Sequence, residues 1–209
     1  MNELLKKCLV EFIGTFFLVL TIGCCVYSAA SGIIAPLAIG FVLAVMVYAG
    51  GYVSGGHYNP AVSLACLVRG VLSAKDMVAY WASQLLAGFV AALVVKQLVI
   101  VPAAGIEPFT LCKLIVCEFL FTFALCYVVL HTATSPKTEN NSYYGFAIGS
   151  TVMVGAFATA GLCFGAFNPA VAIGLLTFGA CAKLIGVTIL VNLIGGACAG
   201  CVYKLTSKE

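Results

Sequence analysis

Charged side chains are scarce in this sequence. Only 8% of the 209 residues are Asp, Glu, Lys or Arg, 63% are hydrophobic, and the mean hydropathy is +1.16. A soluble globular domain carries about 25% charged residues, so this composition excludes a soluble protein. The net charge of +3 is too small to indicate a nucleic-acid partner. Apolar stretches recur along the whole chain, which predicts an integral, lipid-embedded bundle that forms one domain over residues 1–209.

Residues that carry catalysis or bind metals are also few. The chain has two histidines, and Arg69 is its only arginine. Its 11 cysteines lie almost entirely inside apolar stretches, where cysteine behaves as a small hydrophobic residue and not as part of a disulfide framework. No intramembrane His-His, Asp-Asp or Ser-His set is visible. We therefore predict neither an enzyme nor a cofactor or metal site.

The lengths of the apolar stretches predict two kinds of helix. A full span needs about 20 apolar residues. Six stretches qualify: roughly 8–28, 35–53, 78–100, 111–131, 144–162 and 181–203. Two shorter stretches, 59–68 and 168–177, would cover only about 15 Å as helices at 1.5 Å per residue. They are predicted to be half-helices that enter the membrane and end inside it.

The two halves of the chain repeat. Glu11-Phe12 in the first half matches Glu118-Phe119 in the second, and Asn59-Pro60-Ala61 matches Asn168-Pro169-Ala170. Three spans in each half place the second half upside down relative to the first. The sequence thus predicts an inverted repeat of 1–104 and 105–209, an arrangement that places shared sites near the bilayer midplane.

The basic residues predict the orientation. If the N-terminus is cytoplasmic, only Lys96, Lys113 and Lys183 of the ten Lys and Arg residues lie at outer ends. The positive-inside rule therefore favours a multi-pass protein with both termini in the cytoplasm.

Each Asn-Pro-Ala box opens a short apolar segment. Asn is a favoured N-cap, and Pro fits the first helical position because it needs no backbone N–H there. One such triplet is an ordinary helix start. Two at matching places in inverted halves, each opening a half-length helix, indicate a shared site.

These residues resemble the aquaporin, or major intrinsic protein, family over essentially the whole chain. The strongest likeness is the segment 54–62, Ser-Gly-Gly-His-Tyr-Asn-Pro-Ala-Val, and the second box at 165–170 is looser. The resemblance implies that the half-helices meet at the membrane centre and that Asn59 and Asn168 donate hydrogen bonds to a pore water. It also implies a homotetramer with one pore per subunit.

Glu11, Glu118 and His57 are polar residues at membrane depth. Two isolated acids without a basic partner make a poor proton relay. In the resembled family, such acids accept backbone N–H groups from the re-entrant loops, and we expect His57 to support its loop backbone. Ion or proton transport by the two acids, and control of the pore by titration of His57, remain the alternatives.

The outer selectivity ring departs from the resembled family. Typical members carry an Arg three residues after the second Asn, where this chain has Val171. Counting from the boxes places Ile39, Ala156 and Gly165 at the other ring positions. The Val resembles plant vacuolar-type members, although those usually carry His where this chain has Ala156. This apolar ring predicts passage of water and of small uncharged solutes such as ammonia, hydrogen peroxide, urea or glycerol. Exclusion of protons and ions is expected from the two half-helix N-termini and the Asn amides at the boxes.

Three other functions remain open at this stage. A strict water channel would result if neighbouring side chains fill the space that the missing Arg leaves. A secondary transporter also uses inverted repeats and broken helices, but it needs ionisable or hydroxyl-rich coupling groups that the boxes lack. A non-conducting structural membrane protein would show no solute flux.

Overall fold

The computed structural model describes residues 1–27, 32–101 and 110–207. These residues form helices without a strand, together with two short 3₁₀ turns at Gly32–Ile34 and Pro136–Thr138. In chain order the helices are α1 (Glu3–Tyr27), α2 (Ala35–Ser54), α3 (Pro60–Arg69), α4 (Ala74–Leu98), α5 (Leu111–Ala133), α6 (Tyr144–Ala158), α7 (Pro169–Thr177) and α8 (Ala182–Thr206). The predicted boundary between the repeats, at 104 and 105, lies outside the described residues.

Five of these helices are long and apolar enough to cross a membrane: α1, α2, α4, α5 and α8. The sixth predicted span, 144–162, is shorter than expected, because α6 ends at Ala158 after 15 residues. At 1.5 Å per residue it is about 22 Å long. The chain beyond it stays apolar but leaves the helix, and Gly161 and Gly165 adopt positive φ angles of 74° and 63°.

The two half-helices begin as their sequences predict. Asn59 is the N-cap of α3, and its Oδ1 atom accepts a hydrogen bond from the backbone N–H of Ala61 at 2.9 Å. Asn168 caps α7 in the same way through Ala170, at 2.8 Å. Both Asn residues have extended backbones, which is typical of an N-cap. The observed helices begin and end within one residue of the predicted 59–68 and 168–177.

Glycines let the spanning helices approach the half-helices closely. A Cβ atom added at Gly88 on α4 would overlap the carbonyl group of Ala170, and one added at Gly196 on α8 would overlap that of Ala61. Interiors pack at high density and do not yield to such overlap without strain. Gly88 therefore permits the close approach of α4 to α7, and Gly196 permits that of α8 to α3. The two contacts occupy equivalent positions in the two halves of the chain.

Candidate functional site

The two Asn side chains reach across from one half of the chain to the other. The Asn59 Nδ2 atom donates to the carbonyl oxygen of Phe167, and Asn168 Nδ2 donates to that of Tyr58, both at 2.9 Å. Tyr58 and Phe167, the residues just before the boxes, have positive φ angles of 49° and 47°. The boxes therefore lie together, so that the N-termini of α3 and α7 approach one another in the interior.

This geometry limits what the Asn side chains offer to a solute. A side-chain amide has one acceptor oxygen and two N–H donors. In each box the oxygen accepts from its own half-helix, and one N–H binds the opposite loop. One N–H of Asn59 and one of Asn168 remain, and both residues line the same cavity.

That cavity has a volume of about 410 Å³. The structure brings the predicted ring residues together on its wall, namely Ile39, Ala156, Gly165 and Val171. Three of them bring only hydrocarbon side chains and Gly165 brings none. His57 also lines the cavity, beside the two Asn residues.

The segment between α2 and α3, residues 55–59, is the first re-entrant loop, and the segment between α6 and α7, residues 159–168, is the second. Glu11 lies fully buried and receives hydrogen bonds from the first loop and its neighbours. Its Oε1 atom accepts from the hydroxyl of Ser54 at 2.7 Å and from the N–H of His57 at 2.9 Å. Its Oε2 atom accepts from the N–H of Tyr58 at 2.6 Å and from the Gln84 amide at 2.8 Å. All four donors of this buried carboxyl are protein groups.

Glu118 occupies the corresponding place in the second half and is also fully buried. It accepts from the N–H groups of Ala166 and Phe167 at 3.0 and 2.9 Å, and from the Asn192 amide at 3.0 Å. The Asn192 amide also donates to the hydroxyl of Thr122 at 2.8 Å. Buried backbone donors need such partners, because an unsatisfied one costs about 1–3 kcal/mol.

The sequence and the fold are similar to those of known proteins. The family model described as "Major intrinsic protein" matches residues 1–203. The chain belongs to the major intrinsic protein family. Membership confirms the predicted passive transmembrane channel for water and small solutes, the multi-pass membrane location, and the prediction that the protein is not an enzyme.

Two relatives illustrate the range of this major intrinsic protein family. The chain is 32% identical to the glycerol uptake facilitator protein-like 6 of Lactiplantibacillus plantarum, over 98% of this chain and 100% of the relative. It is 33% identical to aquaporin TIP1-1 of Arabidopsis thaliana, over 85% of this chain and 73% of the relative. A solved structure, the aquaglyceroporin from Plasmodium falciparum, has a TM-score of 0.80 at 19% identity and covers 97% of this chain and 96% of that one. This likeness confirms the predicted fold class of six spans and two re-entrant half-helices.

His57 and His131 have different surroundings in this major intrinsic protein. The Nδ1 atom of His57 lies 3.0 Å from the hydroxyl oxygen of Ser63, and its ring contacts the Tyr80 ring edge-on at 5.2 Å. The His131 ring packs between the rings of Tyr127 and Tyr203, at 4.2 and 4.8 Å. His131 is not among the residues that line the cavity.

Sequence reasoning missed the two amides that complete the carboxyl sites of this major intrinsic protein. Gln84 on α4 and Asn192 on α8 are fully buried and bind Glu11 and Glu118. The available signal was their place in the repeat, since each is a polar residue inside the apolar span that follows a box.

Proposed function

We propose that the cavity is the pore and that it conducts water together with small uncharged solutes such as ammonia, hydrogen peroxide, urea or glycerol. The observation that carries this proposal is the ring of Ile39, Ala156, Gly165 and Val171 on the cavity wall. This ring has no charged side chain. A fixed guanidinium there would narrow the passage and add up to five donors, so its absence leaves a wider, less polar ring.

Exclusion of protons and ions rests on the paired boxes in this proposal. Each half-helix N-terminus carries roughly half a positive charge, and the cross-bonds between the boxes place two such ends together. The remaining N–H groups of Asn59 and Asn168 donate to a passing water oxygen. A water held in this way does not readily accept a proton from its neighbour. Half-helix dipoles that exclude protons are a known device of such pores.

We assign Glu11, Glu118 and His57 to support of the loops that present the boxes. The hydrogen bonds of each acid to two backbone N–H groups support this role, because they fix the residues immediately before each Asn. The bond between His57 and Ser63 links the first loop to α3.

The names of the relatives support a mixed solute range. One relative is called a glycerol uptake facilitator-like protein and the other an aquaporin. We propose that this chain combines passage of water with passage of small neutral solutes.

The test is stopped-flow swelling and shrinking of proteoliposomes that contain the purified protein. Water flux and flux of at least one of ammonia, hydrogen peroxide, urea and glycerol should exceed those of empty liposomes. Water flux alone would contradict the mixed range and favour the strict water channel. No flux at all would contradict a conducting channel.

We further propose that the protein assembles as a homotetramer with one pore per subunit, with both termini in the cytoplasm and with repeats of 1–104 and 105–209. The family likeness supports the assembly, and the distribution of basic residues supports the orientation. Native mass spectrometry in detergent should give the mass of four chains. A monomer under conditions that preserve water flux would contradict the tetramer.

A further inference from the structure

The backbone donors beside the apolar ring are already engaged within the protein. The N–H group of Gly165, a ring residue, donates to the sulfur of Cys163 at 3.2 Å. The next two N–H groups, those of Ala166 and Phe167, donate to the carboxyl of Glu118. Three consecutive backbone donors thus have partners within the protein.

A hydroxyl on the cavity wall is engaged as well. Thr159 lines the cavity, and its Oγ1 atom donates to the carbonyl of Gly155 at 2.9 Å. The ring side chains of Ile39, Ala156 and Val171 carry no polar atom. The ring side chains therefore offer a solute only hydrocarbon, and the ring backbone is that of Gly165.

We propose that Cys163 is a specificity-determining residue, because its sulfur occupies the Gly165 N–H and keeps the ring from donating hydrogen bonds to a solute. The pore then favours solutes that bring O–H or N–H donors over solutes of similar size that bring only acceptors. This inference rests on the proposed function of the cavity as the pore.

The physical reason is the loss of water at a narrow apolar ring. A polar group that leaves water without a new partner loses free energy. In the ring, a hydroxyl or amine donor can bind the carbonyl oxygen of Gly165, whereas a sulfoxide or ether oxygen finds the Gly165 N–H already bound to Cys163. Sulfur is a weak acceptor, yet it is the partner of the Gly165 N–H. Without it, that N–H lies free on the cavity wall and binds solute acceptors.

Cys163→Ala tests the proposal in proteoliposomes with two probes, ethylene glycol as the donor-bearing solute and dimethyl sulfoxide as the acceptor-only solute. Each permeability is taken above that of empty liposomes. The glycol-to-sulfoxide permeability ratio should fall by about threefold to tenfold in Cys163→Ala, the usual effect of one hydrogen bond. Cys117→Ala is the matched control, since Cys117 packs against the cluster of Leu114, Cys163 and Phe167 but is not among the residues that line the cavity. Its ratio should equal that of the unaltered protein.

Val171→Thr gives a second reading if Cys163→Ala does not fold. This near-isosteric change adds a hydroxyl donor to the ring and should lower the same ratio. An unchanged ratio in a water-conducting Cys163→Ala protein overturns the role of Cys163 and leaves the proposed pore intact. An unchanged ratio in a water-conducting Val171→Thr protein shows that a donor in the ring does not control the ratio, which overturns the premise of that role. Absence of water flux from the unaltered protein overturns the pore itself, and this inference with it.

Discussion

At the scale of single residues, the two buried acids show which polar groups the fold requires. Glu11 and Glu118 each receive two backbone N–H groups and one side-chain amide from the chain itself. A proton carrier would need a free path to a second titratable group, whereas these carboxyls are enclosed by donors. The arrangement favours a structural role for both acids.

Glu118→Gln should destabilise the protein. The amide cannot accept from both Ala166 and Phe167 N–H groups, because one of its two polar atoms is itself a donor. One buried N–H then loses its partner, at a cost of about 1–3 kcal/mol. We expect a lower thermal midpoint in detergent and reduced water flux.

Glu3→Gln is the control for this change. Glu3 is exposed, and its ion pair with Lys6 at 2.6 Å is a surface contact of the i,i+3 type, which contributes little to stability. Its midpoint and flux should not change. A Glu118→Gln protein of unchanged midpoint and water flux, but with altered proton leak, would instead support a relay.

The boxes and acids were predictable from sequence because they use local or repeated signals. The dipeptide Asn-Pro predicts a helix start from two adjacent residues. The matching acids lie at corresponding positions of the two repeats. Gln84 and Asn192 were not predicted. Their partners lie far away in the chain. A single polar residue inside an apolar span does not predict which side chain it contacts.

At the scale of helices, the close approach of spanning and half-length helices controls where the boxes lie. The half-helices α3 and α7 each contact a glycine of a spanning helix through a backbone carbonyl.

The sequence predicted the bounds of these two half-helices within a residue. It did not predict the end of α6 at Ala158, because hydropathy reports a lipid-like environment and not backbone hydrogen bonding. The stretch after Ala158 leaves the helix, and its later N–H groups bind Cys163 and Glu118.

Gly196→Val should displace α3 and with it the first box. The added side chain would overlap the backbone of Ala61, which cannot move aside as a flexible side chain can. Overpacking of this kind costs about 1–3 kcal/mol, or more. We expect less folded protein by size-exclusion chromatography and a loss of water flux per folded channel.

The matched control is Gly186→Val on the same helix. A Cβ at Gly186 has open space around it, so this variant should fold and conduct normally. Equal effects of the two substitutions would show that helix propensity, and not the contact with Ala61, sets the outcome.

At the scale of the whole molecule, orientation can be read from one exposed thiol. Cys181 precedes α8, and under the proposed orientation it faces the outside. The backbone N–H groups of Leu184 and Lys183 donate to its sulfur and lower the pKa of the Cys181 thiol below its ordinary value. More thiolate is therefore present at neutral pH than for a free cysteine, and the thiolate is the reactive form.

A membrane-impermeant maleimide should label Cys181 in sealed right-side-out vesicles and not in inverted ones. Labelling should slow as the pH falls through the lowered pKa, since protonation removes the thiolate. Cys181→Ser supplies the background from the other cysteines. Preferential labelling in inverted vesicles would reverse the proposed orientation.

The solutes that the proposed pore conducts are also a property of the whole molecule, because residues from several helices together form the cavity wall. The family and the fold follow from the whole chain. Under the proposed function, the solute range follows from four ring residues that come from α2, α6, α7 and the second re-entrant loop. Sequence counting placed these residues, and the structure places them on one cavity. Val171 and the other three ring residues bring no guanidinium to this cavity, since Arg69 is the only arginine of the chain.

The most direct measurement is the ratio of glycerol to water permeability in proteoliposomes, for the unaltered protein and for Val171→Arg. We expect glycerol flux above that of empty liposomes in the unaltered protein. The ratio should fall by at least about tenfold in the variant, because the introduced guanidinium narrows the ring and adds a positive charge. Water flux without glycerol flux in the unaltered protein, or an unchanged ratio in the variant, would contradict a relaxed ring at Val171.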